Sequence, residues 1–104
     1  MDREYVNSLF GLQGKSVVIT GGGGILCGNM ARRLASAGAH VAVLDVRCDA
    51  AQKVVDDIVA AGGEAMALCA DVLDKAALQR CAQEVLARYG CVDALINGAG
   101  GNRK

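Results

Sequence analysis

Two periods of apolar positions alternate along the chain. Short aliphatic and β-branched runs occupy Lys15–Thr20 (with Val17-Val18-Ile19), His40–Leu44, Glu64–Cys69 and Cys91–Ile96. Such runs, bounded by Gly or Asp, predict buried strands. Between them the spacing becomes helical. Over Ile25–Ala37 the expected inward face carries Leu26, Met30, Leu34 and Ala37. A second helix runs from an N-cap at Asp49 through Ala61, with Val54, Val55, Ile58 and Val59 inward. A third spans Lys75–Tyr89, is capped by Asp74, and turns Leu78, Cys81, Val85 and Leu86 inward. Gly38, Gly62-Gly63 and Gly90 stand where these helices should stop. Residues 1–13 read as an amphipathic lead-in, with Leu9, Phe10 and Leu12 as docking residues.

The order β-α-β-α-β-α-β predicts an α/β fold with a Rossmann-like parallel sheet and right-handed crossovers. The expected strand order is 3-2-1-4. The strands are apolar on successive residues, as parallel strands covered on both faces should be.

Composition narrows the function classes. At 53% hydrophobic and 21% charged residues, the 104-residue chain can bury a core. Eleven basic residues balance eleven acidic ones, so no electrostatic footprint for nucleic acid or an anionic membrane surface is present. Aromatics are only 3%, which argues against base-stacking platforms. No apolar run is long enough to span a membrane, and the polar start Met1-Asp2-Arg3-Glu4-Tyr5 is unlike a secretory signal. A cytoplasmic setting is expected.

The five cysteines, Cys27, Cys48, Cys69, Cys81 and Cys91, contain no C-x-x-C pair and are odd in number. Neither a disulfide framework nor a structural zinc site is expected from that spacing. Cys69, Cys81 and Cys91 read as small buried hydrophobes, and Cys27, at a helix start, as the most reactive thiol. With the single His40, no metal site is expected.

The candidate chemistry lies in Thr20-Gly21-Gly22-Gly23-Gly24-Ile25-Leu26-Cys27-Gly28, set between a strand and a helix. Glycines allow a tight turn and the close approach of a diphosphate, and the helix start points N–H groups and a positive dipole end at it. The alternative is a glycine-rich turn that binds nothing, at an entropic cost a plain turn would not need. Gly14-Lys15-Ser16 resembles a P-loop tail, but it precedes its strand and lacks the first glycine, which disfavours an NTPase. Asp45 follows Gly21 by 24 residues at the end of the second strand. A carboxylate there accepts both ribose hydroxyls of adenosine and repels a 2′-phosphate, although Arg47 nearby could favour NADP. Asp71 either meets the adenine amino group or caps a turn.

Thr20-Gly21-x-x-Gly24, Asp45, Ala70-Asp71-Val72 and Leu95-Ile96-Asn97-Gly98-Ala99-Gly100 together resemble the N-terminal half of a short-chain dehydrogenase/reductase. The resemblance begins near residue 9. The glycine loop combined with Asn-Gly-Ala-Gly-Gly-Asn is more narrowly similar to the branch that interconverts D-mannonate and fructuronate. The resemblance implies pyrophosphate contacts at Gly21, Gly23 and Gly24, with Ile25 and Leu26 opening the helix. It implies ribose selection at Asp45 with Val46 beside it, adenine contacts at Asp71 and Val72, and a cofactor border at Asn97, Gly98, Ala99 and Gly100. The implied cofactor is NAD, with NADP disfavoured. Two departures stand out. Ile25 and Cys27 occupy glycine places of the family's T-G-x-x-x-G-x-G, and Gly98 replaces the second Asn of Asn-Asn-Ala-Gly.

The same resemblance implies a Tyr-x-x-x-Lys pair for proton transfer. Only Tyr5 and Tyr89 occur, followed four residues later by Leu9 and Asp93. Residues 14–104 therefore read as a partial NAD-binding domain cut after its fourth strand, without catalytic residues of its own. The parent would oxidise or reduce a sugar-acid substrate. A non-catalytic nucleotide-binding module is the alternative, and a sugar-nucleotide epimerase a weaker one. Self-association through an exposed fourth strand is a further expectation.

Overall fold

The structure, a computed structural model, describes residues 12–21 and 23–98. Four strands and three helices alternate: β1 (Ser16–Thr20), α1 (Ile25–Ser36), β2 (His40–Asp45), α2 (Cys48–Ala60), β3 (Glu64–Cys69), α3 (Lys75–Tyr89) and β4 (Ala94–Asn97). The strands form one parallel sheet in the order β3-β2-β1-β4. This is the Rossmann-like arrangement the alternation predicts. The lead-in residues Leu9 and Phe10 lie outside the described residues, as do Gly22, Ala99 and Gly100; Leu12 is half-buried.

Strand alternation divides the core between two faces. Val17 and Ile19 of β1 and Val41 and Val43 of β2 point to the side covered by α1 and α2, where Ala31, Ala35, Ala51, Val54, Val55 and Ile58 meet them. Val18, Ala42, Leu44 and Leu68 point to the opposite side, against Ala77, Cys81 and Val85 of α3. Ile19, Val41 and Val43 are fully buried, each contributing about 1.5–3 kcal/mol of hydrophobic stabilisation relative to exposure. Two helices cover one face among the described residues and a single helix covers the other.

Several expectations change at residue level. The inward face of α1 is Gly28, Ala31 and Ala35, and Leu26 and Met30 stand outward. The small residues let this helix approach the sheet closely, which an apolar-only count ignores. Val59 and Leu86 are also exposed, at the edges of faces centred on Val55–Ile58 and Cys81–Val85. The second helix starts at Cys48 with Arg47 as N-cap, and Asp49 lies inside its first turn. The cap at Asp74 is as expected, its side chain accepting from the Ala77 N–H at 3.2 Å. Gly90 ends α3 with φ 86°, a conformation that disfavours any side chain.

β4 is shorter than the run Cys91–Ile96 and largely exposed. Its approach is fixed by Asp93 instead. The Asp93 N–H donates to the Ser16 carbonyl at 2.8 Å, and Asp93 Oδ2 accepts the Ser16 N–H at 2.8 Å.

The cysteines depart furthest from the reading of their spacing. Cys48 and Cys69 are joined by a disulfide, with Cα atoms 5.0 Å apart. Cys69 and Cys91 are exposed, and only Cys81 is the buried small hydrophobe expected. Spacing alone misses the pair because parallel pairing sets Asp45 beside Cys69, bringing Cys48 back to the end of β3.

Candidate functional site

The candidate residues converge at the carboxyl ends of the strands. β1 and β4 pair in register from Val17↔Ala94 to Thr20↔Asn97, so both loops that follow leave from the same level. The Thr20 hydroxyl donates to Asn97 Oδ1 at 2.8 Å, and the Gly98 N–H donates to the Thr20 carbonyl at 3.0 Å. Gly98 thus makes its contact through backbone, which is why the departure from a second Asn leaves the strand pairing intact. A Cβ on Gly98 would run into Cys27 Sγ and lie 2.9 Å from the Thr20 carbonyl. Cys27, at one glycine place of the family pattern, therefore fills the space in front of Gly98. The other substituted place, Ile25, points outward into solvent together with Leu26.

After β1 the chain turns at Gly21, whose φ is 68°, and the Gly24 N–H closes the turn on the Gly21 carbonyl at 3.1 Å. Gly24 is the N-cap of α1, without a side-chain cap and without an acidic residue in the first turn. α3 differs, with Asp74 sitting on its N–H groups. An uncapped helix start behind a side-chain-free turn suits an anionic group.

Asp45 ends β2 with only 7% of its surface exposed. Its Oδ2 accepts the Gly23 N–H at 2.9 Å, and its Oδ1 accepts the Arg47 N–H at 3.0 Å. Two backbone donors satisfy a buried carboxylate and fix its orientation. Gly23 is required sterically, because a Cβ there would lie 2.7 Å from Ala50 Cβ and 2.8 Å from Asp45 Oδ2. The arrangement links the glycine loop to the end of β2 through a single carboxylate.

Beyond β3, the Ala70 N–H donates to the Asp45 carbonyl at 3.1 Å. Asp71 Oδ1 accepts the Leu73 N–H at 2.9 Å, so Asp71 does cap a turn, and it is exposed. Val46 is exposed and Val72 half-buried.

Thr20, Gly21, Asp45, Val46, Asp71 and Val72 line one end of a crevice of about 970 Å³. Asn97 borders it as well, and it continues under α3 along Leu44, Leu78, Val85 and Leu95. Six of the eleven described candidate residues thus line one crevice: Gly21, Asp45, Val46, Asp71, Val72 and Asn97. Gly23, Gly24, Ile25, Leu26 and Gly98 do not line it, although Gly23 is tied to it through its N–H bond to Asp45. Thr20, quoted above only as part of a motif, is a direct lining residue. Its β1 register with Asn97 is the signal that could have picked it out.

Tyr89 lies elsewhere. Its ring is 5.1 Å from that of His40, which begins β2 at the amino end of the sheet. Burial, reinforced by the charge of Glu64, pushes its phenol up to about 12. A phenol at that end and with that acidity has no access to the crevice and is a poor proton carrier near neutrality.

Comparison with known proteins follows the same residues. The family model described as short chain dehydrogenase matches residues 15–104. An uncharacterized oxidoreductase, UxuB, from Bacillus subtilis is 54% identical over 91 residues, covering 88% of this chain and 33% of that protein. A crystal structure from Haemophilus influenzae, described as a proposed D-mannonate oxidoreductase with bound NAD, superposes with a TM-score of 0.84 at 41% identity. It covers 88% of this chain and 32% of that one. A metagenomic short-chain oxidoreductase in complex with NADP gives a TM-score of 0.75 at 35% identity, over 80% of this chain and 38% of that one. The chain spans about a third of the length of the relatives it matches. No helix among the described residues is long and apolar enough to cross a membrane.

Proposed function

The chain belongs to the short-chain dehydrogenase family, and on that premise we propose that it is the dinucleotide-holding part of an NAD-dependent oxidoreductase. The observation that carries the choice of NAD is the Asp45 carboxylate, buried and held by the Gly23 and Arg47 N–H groups. With one backbone donor on each oxygen, the remaining lone pairs accept the two ribose hydroxyls of the adenosine half. A 2′-phosphate would bring like charge against a desolvated carboxylate. Arg47 engages Asp45 through its backbone, which leaves the carboxylate as the group that sets the preference.

Gly21, Gly23 and Gly24 shape the pyrophosphate end, and the uncapped start of α1 supplies the favourable dipole. In this reading Val46 and Val72 would flank the adenine with Asp71 beside them, and Asn97 and Gly98 would border the nicotinamide side. NAD supplies hydride transfer when bound. Within these 104 residues no Tyr-x-x-x-Lys occurs, so the role assigned to this chain is to bind and orient, not to move the proton.

For the whole protein we assign a sugar-acid secondary alcohol and its ketone as the reacting pair, of the mannonate and fructuronate type. The likeness to the Haemophilus protein supports this assignment. The cytoplasm is the proposed setting. Titration of the chain with NADH and NADPH, followed by nicotinamide fluorescence, tests the binding role. Tighter NADH binding is expected, and equal affinities would overturn the part assigned to Asp45.

A further inference from the structure

Cys48 and Cys69 stand next to Asp45 and Asp71, the residues assigned to adenosine, and the proposed activity uses neither. Cys69 is the register partner of Asp45 across the β2–β3 pair. Cys48 opens α2, three residues after Asp45. Their Cα atoms are 5.0 Å apart, well inside the reach of a disulfide. The bond fastens the first turn of α2 to the end of β3. Val46 and Arg47 are the two residues between Asp45 and the bond. Cys69 Sγ also lies 3.8 Å from the Val46 carbonyl, and the Arg47 N–H holds Asp45 Oδ1. Both cysteines are exposed, so small thiols and disulfides can reach them. Cys81 is buried on the inward face of α3 and Cys27 is half-buried against Gly98.

We propose that Cys48 and Cys69 form a reversible dithiol–disulfide site that sets how tightly the chain holds a dinucleotide. The oxidant is a low-molecular-weight disulfide. One cysteine thiolate attacks a sulfur of that disulfide, forming a mixed disulfide and expelling one thiolate. The second cysteine thiolate attacks the protein sulfur of the mixed disulfide, closing the Cys48–Cys69 bond and expelling the other thiolate. The two cysteines lose two electrons and two protons, and the small disulfide is reduced to two thiols. Closing the bond holds Val46–Arg47, and with them Asp45, in the arrangement that receives adenosine, so the ordering is complete before the ligand arrives. Opening the bond frees that segment and weakens binding. The proposal rests on the dinucleotide reading given above.

The test uses the 104-residue chain equilibrated in glutathione buffers from fully reduced to fully oxidised. Alkylation and mass spectrometry should show Cys48 and Cys69 lost to alkylation together, with a mass decrease of two hydrogens. NADH should bind about fivefold to tenfold more tightly to the oxidised form, at the lower end of coupling between linked sites. Cys48→Ser and Cys69→Ser should bind NADH as the reduced form does in every buffer, and Cys91→Ser should behave as wild type. Failure of the two cysteines to oxidise together overturns the site. NADH binding that is equal in both states overturns the control of affinity while leaving the dinucleotide reading standing. Absence of NADH binding in either state overturns both.

Discussion

The sulfur of Cys27 occupies the position a side chain on Gly98 would need. A Cβ built on Gly98 meets that sulfur and the Thr20 carbonyl at 2.9 Å. The start of α1 and the end of β4 are thus fitted to each other by exchange of bulk, with a side chain where the family pattern has glycine and glycine where it has Asn. Gly98→Asn in the presence of Cys27 overpacks this contact and should cost about 1–3 kcal/mol. Cys27→Gly should relieve the part of that loss due to the sulfur, leaving the contact with the Thr20 carbonyl, so the double variant is more stable than the sum of its parts by at least about 0.5 kcal/mol. Urea unfolding of the four proteins measures the coupling. Additive losses would mean that the two positions are independent.

Gly23 predicts a second steric effect. Alanine there would push against Ala50 Cβ at 2.7 Å and Asp45 Oδ2 at 2.8 Å. Either the loop or the carboxylate must move, and the Gly23 N–H bond to Asp45 is lost in both cases. Gly23→Ala should therefore destabilise the chain by about 1–3 kcal/mol and weaken NADH binding. Wild-type stability combined with wild-type affinity would show that the loop relaxes at no cost.

Asp45→Asn isolates charge from shape. The amide keeps the size of the side chain, but its NH2 faces either the Gly23 or the Arg47 N–H, so some stability is lost as well. The charge facing a 2′-phosphate disappears. The preference for NADH over NADPH should fall by about tenfold or more, worth at least about 1.4 kcal/mol. Calorimetric titration with both dinucleotides, alongside thermal unfolding, separates the two effects. An unchanged ratio would place discrimination elsewhere, with the Arg47 side chain the first alternative.

The strand order, helix order and meeting of Gly21, Asp45, Asp71 and Asn97 were legible because each depends on local pattern and on one rule of crossover handedness. What stayed hidden depends on three-dimensional approach. The buried face of α1 runs through Gly28, Ala31 and Ala35, and small residues carry little weight in a hydrophobic count. The Cys48–Cys69 bond follows from register, which no cysteine spacing encodes. β4 beside β1 alone follows from the expected order, whereas its start at Ala94, not at Cys91, does not show in an apolar run. Gly23 was assigned to the phosphate loop, and its hold on Asp45 emerges only from the geometry.

Asp93 should give the chain part of its acid sensitivity. The Ser16 N–H bond holds its carboxyl below the ordinary 3.8, with smaller contributions from Cys91 and Lys15. A carboxyl that is more acidic folded than unfolded stabilises the fold above its unfolded value, and that stability is lost as pH falls through the folded value. Wild-type stability should therefore decline from about pH 4 downward. Asp93→Asn should be less stable near neutrality and should lose less on acidification. Urea midpoints between neutral and acidic pH test this, and parallel curves for the two proteins would remove Asp93 from the account.

The outer edge of β4 predicts how the chain behaves in solution. Among the described residues β4 pairs only with β1, so one side of its backbone is without a strand partner. Leu95, at 63% exposure, adds apolar surface beside it, and Val92 and Leu95 continue into the apolar part of the crevice under α3. An exposed strand edge with apolar neighbours is a template for pairing with another copy. The 104-residue chain should associate with rising concentration, and Leu95→Lys should oppose this by placing charge on the edge. Light scattering over a concentration series, with wild type and variant compared, reads the effect. Leu95 also lines the crevice, so the variant is read by association and not by NADH affinity. A wild-type chain that stays monomeric throughout the series would show that this edge is not adhesive.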